Sequence, residues 1–497
     1  LWAPATVDRD DLALIIGGRL RAIGGDSAEC ARIMLDFVAY LRDEARVLQH
    51  ALSLRDYLFW AEFIARTRPL MDVRSCVVHG ACMVLLDAIG AQGSAFGVST
   101  RAPAAVKADC VQRLRAMVGW TGDVDTTAVQ LGVVPARDAG AADLASLVVT
   151  ATDGDRRQVG VRPFLVEAGA HAAAADSFAL HAPTTFDNLV KILRAMQVGK
   201  PLLLEGSPGV GKTTLVSTLA RIAGHRLVRI NLSDQTDLMD LFGTDLPVDD
   251  GFAWCDAPFL QALKRGDWVL LDEINLASQS VLEGLNSCLD HRGTVYISEL
   301  DREFTLSHGF RLFAAQNPLG QGGGRKGLPR SFVNRFTQVY MDELQRDDLQ
   351  IICAELFPAH VGIDAVLEFN WQMHQATMGR REFGAMGAPW EFNLRDVSRF
   401  MELALTPSAL ERAPKPVDEF IPMLYEQRMR TPADRLRVRD LFASVFGRAL
   451  APHTPSLHVT EAFLQVGNAV LPRRPADARL TRLRALATQL PCLESLM

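Results

Sequence analysis

A glycine-rich stretch in the middle of the chain, GSPGVGKTT, has the residue types and the spacing of a phosphate-binding loop. It fits the pattern G-x-x-x-x-G-K-[ST] and lies between an apolar run and a helical pattern, as such a loop requires. The glycines let backbone N–H groups turn inward around a phosphate, Lys212 would reach the outer phosphates, and Thr213 would hold Mg²⁺. The alternative is an ordinary strand-to-helix turn. The predicted nucleotide-binding residues are Gly206, Ser207, Pro208, Gly209, Val210, Gly211, Lys212, Thr213 and Thr214.

Two adjacent carboxylates follow a second apolar run further along the chain. In WVLLDE (268–273), four apolar residues predict a buried strand that ends in Asp272 and Glu273. Asp272 would join Thr213 in the Mg²⁺ shell, and Glu273 would orient the attacking water. Acidic residues at strand ends are common, so Asp272 and Glu273 are informative only because they follow a phosphate-binding loop in the same chain. Because nucleotide binding alone could dispense with Glu273, this residue favours hydrolysis.

Two further polar side chains are candidates for catalysis. FAAQNP (313–318) ends a predicted strand in Asn317, whose amide could lie beside the γ-phosphate and the water. The alternative for Asn317 is a capping residue before proline. SFVNRF (331–336) places Arg335 at the end of a helix, where it is either a surface arginine or a finger that contacts a phosphate. A guanidinium suits the second role because its planar, positively charged N–H groups match the negative charge spread over the phosphate oxygens.

A parallel sheet is needed to bring these side chains together. From Phe186 onward, short apolar segments alternate with helical patterns. The segments PLLLEG, LVRINLS, WVLLDEIN, FRLFAAQN and FTQVYM lack polar alternation, which predicts strands buried on both faces. Residues 10–65, and the chain from about residue 345 to 450, have helical patterns instead. The predicted fold class is therefore α/β, a P-loop parallel sheet wrapped by helices, with all-helical domains beside it.

Composition excludes several other classes of protein. The 497 residues are 48% hydrophobic and 22% charged, which is typical of a globular rather than a disordered chain. A net charge of −6 calls for neither a nucleic-acid nor a membrane-surface partner. No apolar run reaches the length of a membrane span. The eight cysteines show no metal-ligand spacing, so we expect buried, reduced thiols in a reducing compartment.

Two short elements occur twice, in the same order. LSLRDYLFW (52–60) resembles FNLRDVSRF (392–400), and QVGVRPFLVEAG (158–169) resembles SLHVTEAFLQVG (456–467). These echoes suggest a module that repeats after roughly 300 residues, which suits a tandem array of whole domains better than a solenoid. The sequence opens on Leu1 without a signal peptide, so we expect it to be a piece of a longer chain.

Together the motifs resemble the AAA+ ATPases of the dynein-related, helix-2-insert clade, and within that clade the midasin family. The resemblance is carried by RINLSDQTDLMDLFGTDLP, APFLQALKRGDWVLLDEINLASQS and FAAQNPLGQGGGRKGLPRSFVNRF. It implies that the loop is Walker A and the carboxylate pair Walker B. Asn317 would be sensor 1, Arg335 the arginine finger and Arg395 sensor 2. Arg55 would take the place of Arg395 in the lid of a preceding module.

The same resemblance predicts five segments in the chain. Residues 1–150 would be the helical lid of a preceding AAA+ module, with an inserted Ala/Gly-rich loop near its end. Residues 151–182 would be a linker and the start of the complete module, 183–345 its large P-loop domain, and 346–450 its small helical lid. Residues 451–497 would start the next module. The whole would come from around one of the later modules of the array.

For function, the resemblance implies an ATPase module of a tandem-module mechanochemical ring, with ATP and Mg²⁺ as cofactors and weak turnover in the isolated fragment. Its partners would be neighbouring modules of the same chain and the precursor particle of the large ribosomal subunit, in the nucleus. Direct contact with nucleic acid or a membrane is not expected. Two alternatives stay open: a structural module that binds ATP without turnover, and a MoxR-like AAA+ chaperone.

Overall fold

The computed structural model contains two compact units, Leu1–Ile352 and Cys353–Met497. It describes residues 8–48, 52–90, 103–120, 148–153, 156–170, 180, 182–248, 251–289, 294–297, 302–318, 326–358, 362–405, 420–450, 457–460, 462–466 and 469–472. The Ala/Gly-rich insertion predicted before the central module lies in part outside these residues, as does most of 451–497.

Helices dominate the start of the chain and alternate with strands later. In chain order the described helices up to residue 356 are α1 (Arg9–Arg19), α2 (Ser27–Ala39), α3 (Leu54–Thr67), α4 (Val73–Val84), α5 (Pro103–Met117), α6 (Pro183–Met196), α7 (Lys212–Ala223), α8 (Leu238–Phe242), α9 (Pro258–Arg265), α10 (Gln279–Cys288), α11 (Arg330–Val333) and α12 (Arg346–Leu356). The first five pack around an apolar core of their own.

Along the chain, the strands of the first unit form a short three-stranded sheet first and the central sheet after it. They are β1 (Val148–Asp153), β2 (Arg156–Val161), β3 (Phe164–Glu167), β4 (Leu202–Glu205), β5 (Leu227–Asn231), β6 (Gly243–Val248), β7 (Gly251–Asp256), β8 (Trp268–Asp272), β9 (Thr294–Ile297), β10 (Arg302–Thr305), β11 (Arg311–Gln316) and β12 (Thr337–Tyr340). Strands β1–β3 are antiparallel, and β6–β7 and β9–β10 form hairpins.

The central sheet has the strand order β12-β4-β11-β8-β5, and every neighbouring pair is parallel. This confirms the predicted α/β fold class. The prediction that all five strands are buried on both faces is wrong for β5, which is half-exposed, and for β12, in which buried and half-buried residues alternate. Both are edge strands, and an edge strand has a strand neighbour on one side only.

Helices cover both faces of the sheet because successive strand residues point to opposite sides. Leu202 and Leu204 of β4 belong to a core shared with α6 and α7. Leu203, between them, belongs to a second core shared with α9 and α10. The apolar runs that carry no alternation in the sequence are therefore strands packed on both sides.

Helix α3, which carries the first Leu-Arg-Asp, begins at a capping box. The Asp56 carboxylate accepts hydrogen bonds from the backbone N–H of Ser53 at 2.9 Å and from its hydroxyl at 2.8 Å. Satisfying the unpaired groups of the first turn fixes where the helix begins. Arg55 thereby sits in the first turn, and the following face, with Trp60, Phe63 and Ile64, is buried.

A network of charges, buried at Asp87, Arg194 and Lys191, joins the N-terminal helices to α6. Arg194 pairs with Asp87, whose other carboxylate oxygen lies 2.6 Å from the Lys107 ammonium. Lys191, also on α6, lies 2.6 Å from Asp342 at the end of β12. Burial alone would raise the pKa of Asp87, but the charges of Arg194 and Lys107 hold that pKa well below its ordinary value.

The second unit contains the helices α13 (Ile363–His374), α14 (Leu394–Leu405) and α15 (Pro432–Phe446) and the strands β13 (Leu457–Val459), β14 (Phe463–Val466) and β15 (Ala469–Pro472). Helix α14 carries the second Leu-Arg-Asp, and its start repeats the first: the Asp396 carboxylate accepts from the N–H of Asn393 at 3.3 Å. The second echo also repeats, because Phe164 and Phe463 each open the second strand of an antiparallel hairpin.

Two composition-based expectations can be compared with the described residues. Among them, no helix is both long and apolar enough to cross a membrane. Seven of the eight cysteines are described and all seven are free. Six of these are buried, but Cys255 is exposed, so the expectation of uniformly buried thiols is wrong at that position. Cys255 lies in the β6–β7 hairpin, which stands apart from the central sheet.

Candidate functional site

Strand β4 and helix α7 hold the glycine-rich loop between them. Gly209 has φ +82° and Gly211 has φ +84°, left-handed conformations that glycine adopts at little cost. Such turns direct successive backbone N–H groups inward, and the first turn of α7 adds N–H groups without helical acceptors. Gly206 passes close to Met341, where an added Cβ would lie 3.0 Å from the Met341 Cβ. The loop is therefore shaped to approach an anion closely.

The Lys212 side chain is buried at the floor of this loop. Its ammonium donates to the carbonyls of Gly206 at 2.5 Å and Ser207 at 3.1 Å, and to Oδ1 of Asn317 at 2.8 Å. Lys212 thus links the loop to the carboxyl end of β11, the central neighbour of β4. Of the other predicted loop residues, Ser207 donates its hydroxyl to Glu343 at 2.5 Å, and Val210 is buried.

Asn317 joins Lys212 to Glu273. Its Nδ2 donates to Glu273 Oε1 at 2.8 Å, while its Oδ1 accepts from the lysine. The backbone carbonyl of Asn317 accepts from Nδ2 of Asn275 at 2.9 Å, which fixes the strand end itself. The Asn317 amide therefore contacts both Lys212, which is suited to bind a phosphate, and Glu273, which is suited to orient a water.

The backbone of Glu273 is strained. Its φ of +57° is left-handed, a conformation that costs a non-glycine residue about 1 kcal/mol or more. The turn follows directly after β8, and the N–H of Glu273 donates to Oδ1 of Asp272 at 3.2 Å. A continued strand would send these two consecutive carboxylates to opposite faces of the sheet, whereas this turn keeps Asp272, against Thr213, and Glu273, against Asn317, at the same site.

Asp272 and Thr213 face each other across the site. The Thr213 hydroxyl donates to Asp272 Oδ2 at 3.1 Å. A hydroxyl and a carboxylate are hard oxygen ligands of the kind Mg²⁺ takes, usually together with waters and substrate phosphates. Among the described residues no group of three or more His, Cys, Asp or Glu side chains could hold a metal by itself. The donor set fits Mg²⁺ held jointly with a nucleotide.

Two residues of this site lie in segments that carry the family resemblance, but the sequence assigned neither of them a role. Asn275 is buried and positions Asn317, and Arg229 of β5 lies 2.6 Å from Asp272 Oδ2 through Nη2. Strand β5 lies next to β8 in the sheet, with Asn231 opposite Asp272. Arg229 is the only charged residue of β5, which was the available signal for it, and only the strand order shows which carboxylate it meets.

The structure does not bring Arg335 to Lys212. Arg335 follows α11 and donates through Nη1 to the carbonyl of Asn286 at 3.2 Å. It lines a cavity of about 760 Å³ together with Arg55, Lys200 and Arg311. Lys200 and Arg311 stand at the amino ends of β4 and β11, whereas Lys212 and Asn317 meet at the carboxyl ends. Strand β4, with four residues, separates these two edges by roughly 13 Å.

Arg395 belongs to the second unit and is described there alone. It occupies the first turn of α14, and its backbone N–H donates to Oδ1 of Asn393 at 2.9 Å. Arg55 occupies the corresponding place at the start of α3, in the first unit. The two Leu-Arg-Asp elements therefore share their helix start and the position of the arginine on it.

Comparison with known families matches two adjacent parts of the chain. Residues 201–336 match the AAA domain of the dynein-related subfamily. Residues 348–449 match the midasin AAA lid domain. The first match contains the loop, both carboxylates, Asn317 and Arg335, and the second contains Arg395.

Individual relatives extend the similarity beyond these two domains. Midasin of Dictyostelium discoideum is 39% identical over 95% of this chain, and midasin of Giardia intestinalis is 43% identical over 60% of it. An uncharacterised protein of Staphylococcus aureus (strain USA300) is 28% identical over 35% of this chain and 68% of its own length. The chain spans only 8% and 6% of the length of the two midasins.

Proposed function

Because this chain belongs to the midasin type of dynein-related AAA+ proteins, we propose that it binds ATP with Mg²⁺ at the loop 206–214 and hydrolyses it. The loop and the first turn of α7 hold the phosphates, with Lys212 at the outer ones. Thr213 and Asp272 hold Mg²⁺, which when bound neutralises phosphate charge and orients the phosphate oxygens. Glu273 orients the water that attacks.

The observation that favours ATP hydrolysis over ATP binding alone is the series of contacts Lys212–Asn317–Glu273. Asn317 fixes Glu273 Oε1 at 2.8 Å while it also bonds the lysine at 2.8 Å. A site that only stored ATP would need the lysine but neither the carboxylate nor the amide. The strained turn at Glu273 supports the same conclusion, since strain of this kind clusters at functional sites.

We further propose that the module works in a ring of tandem AAA+ modules of one chain, that this ring remodels precursors of the large ribosomal subunit, and that it does so in the nucleus. The identity to two midasins and the midasin lid domain support this proposal. The shared cavity of Arg55 and Arg335 supports a neighbouring module as partner. Association can be tested by isolating the tagged full-length protein and probing for large-subunit precursor particles.

The hydrolysis proposal is tested with Glu273→Gln, which keeps the shape of the side chain and removes its charge. Nucleotide binding is measured as the thermal shift with Mg-ATP, and turnover is measured in the full-length protein. Ligand at a hundredfold excess over its Kd stabilises the folded state by about 2.7 kcal/mol. We expect the variant to keep this shift and lose turnover.

Lys212→Ala is the control that should lose the shift. If Glu273→Gln loses binding and turnover together, then Glu273 has a structural role and the site binds ATP without the proposed chemistry. If the native chain shows neither a shift nor turnover, the nucleotide assignment itself is wrong. If full turnover persists in Glu273→Gln, another group orients the water.

A further inference from the structure

We propose that Arg229 is a positioning residue that competes with Mg²⁺ for Asp272, so that the site exchanges a protein cation for the metal when nucleotide binds. This inference rests on the proposed function, because it concerns the Mg²⁺ that accompanies ATP. It assigns a role to a side chain for which the sequence motifs give none. The starting point is the ion pair between Arg229 Nη2 and Asp272 Oδ2 at 2.6 Å.

The two oxygens of Asp272 are engaged by three donors. Oδ2 accepts from Arg229 at 2.6 Å and from Thr213 at 3.1 Å. Oδ1 accepts from the N–H of Glu273 at 3.2 Å. The oxygen shared by Thr213 and Arg229 is the one that lies beside the other proposed metal ligand. Mg²⁺ bound to that oxygen, directly or through a water, would be repelled by the guanidinium, because both are positively charged.

Exposure makes the exchange possible. The Arg229 side chain is 56% exposed, whereas Asp272 is 13% exposed. The carboxylate is therefore held in place, and the long arginine side chain can leave toward water. An ion pair with one exposed partner is weak, so its loss costs little. We expect the competition to change the Mg²⁺ requirement by about fivefold, which corresponds to about 1 kcal/mol.

The same pair of strands contains a matched control. Arg226 lies 3.9 Å from Asp267, just before the starts of β5 and β8, at the edge of the sheet away from the loop. It is an Arg–Asp pair between the same neighbours and its arginine is 62% exposed. Arg226→Gln changes the net charge as Arg229→Gln does, but it leaves Asp272 untouched.

The experiment is a thermal melt of the whole chain with a fixed amount of a non-hydrolysable ATP analogue, in which Mg²⁺ is titrated. The readout is the Mg²⁺ concentration that gives half of the maximal shift. For Arg229→Gln we expect this concentration to fall about fivefold, and for Arg226→Gln and Arg229→Lys we expect the native value. Added KCl should reduce the difference in this Mg²⁺ concentration between Arg229→Gln and the native chain, because salt screens exposed charges.

Arg229→Ala serves as a second neutral variant and should also need less Mg²⁺. The inference is overturned if both neutral variants need as much Mg²⁺ as Arg226→Gln, or more. In that case Arg229 either has no part in the site or helps to orient Asp272 toward the metal. If no protein in the series responds to the analogue at any Mg²⁺ concentration, the proposed nucleotide site fails, and this inference fails with it.

Discussion

Arg55 of α3 and Arg335 after α11 line one cavity, although they lie far apart in the sequence and on different parts of the first unit. The cavity opens at the amino ends of β4 and β11, and the Lys212 site is at their carboxyl ends. An arginine at one edge of a sheet cannot contact a phosphate at the other. These two arginines are therefore placed away from any phosphate bound at Lys212.

The first prediction concerns Arg335→Ala. In this chain, kept monomeric, the variant should hydrolyse ATP at the same slow rate as the native protein, because Arg335 lies at the edge of the sheet away from Lys212. Steady-state turnover of the two proteins, with their masses checked in solution, decides the question. An arginine finger is worth about 10³- to 10⁵-fold in related enzymes. A collapse of that size in the monomer would show that Arg335 acts on its own module.

The second prediction concerns Asn317→Ala, which cuts the link between Lys212 and Glu273. We expect turnover in the full-length protein to fall about 10²-fold, since Glu273 is no longer held for its role in proton transfer or water orientation. Nucleotide binding, measured by thermal shift, should persist. Gln316→Ala is the neighbouring control, because that amide bonds to Glu205 at 2.8 Å instead. Equal rates for the two variants would contradict a role for Asn317 in turnover.

The third prediction concerns stability. Asp87→Asn leaves the buried Arg194 charge and the partly exposed Lys107 charge without their carboxylate. Removing one partner of a buried ion pair costs about 3–5 kcal/mol. Denaturant unfolding of the native and variant chains should show this loss in the transition of the first unit. A normal free energy of unfolding for Asp87→Asn would mean that the network contributes little.

The matched control for that experiment is Asp43→Asn. Asp43 pairs with Arg42 at 2.7 Å, but both side chains are more than half exposed. Ion pairs between exposed side chains contribute little to stability because water screens both charges, so the control should be nearly as stable as the native chain. The contrast isolates burial, because each variant removes one carboxylate charge from an ion pair.

The fourth prediction concerns pH. His79 is fully buried, with Arg194 3.5 Å from its Nδ1, and burial together with the Arg194 charge lowers its pKa well below the ordinary value. The nearby Asp87 carboxylate opposes this effect only in part. The unfolded chain then binds a proton near pH 6.5 that the folded chain does not take up. Stability should therefore fall with acidification, by about 1.4 kcal/mol between pH 7.5 and 5.5.

This dependence is measured by denaturant unfolding at the two pH values. In His79→Gln the contribution should be absent, and the variant should lose correspondingly less stability on acidification. His308→Gln provides an exposed control and should behave as the native chain does. A native stability that is equal at both pH values, or higher at pH 5.5, would contradict a neutral buried histidine.

Local sequence was enough to predict the elements that carry the site. The loop pattern, with left-handed glycines before a lysine, is set by backbone sterics over a few residues, and unalternated apolar runs predict buried strands. The capping box at Ser53 and the hydrogen bond from Asn393 to Asp396 are likewise local, since each involves residues three apart. For these reasons the parallel sheet, the loop and both Leu-Arg-Asp helices can be predicted from the sequence.

The tertiary structure alone decided which of these elements meet. Strand order brings Asn317 between Lys212 and Glu273 and sets Arg229 against Asp272, although β5, β8 and β11 are separated by whole helices along the chain. The cavity that Arg335 shares with Arg55 lies away from Lys212, as the family resemblance implies. Residue type and spacing determine local conformation, whereas contacts between distant segments depend on how the whole core packs, which no short pattern encodes.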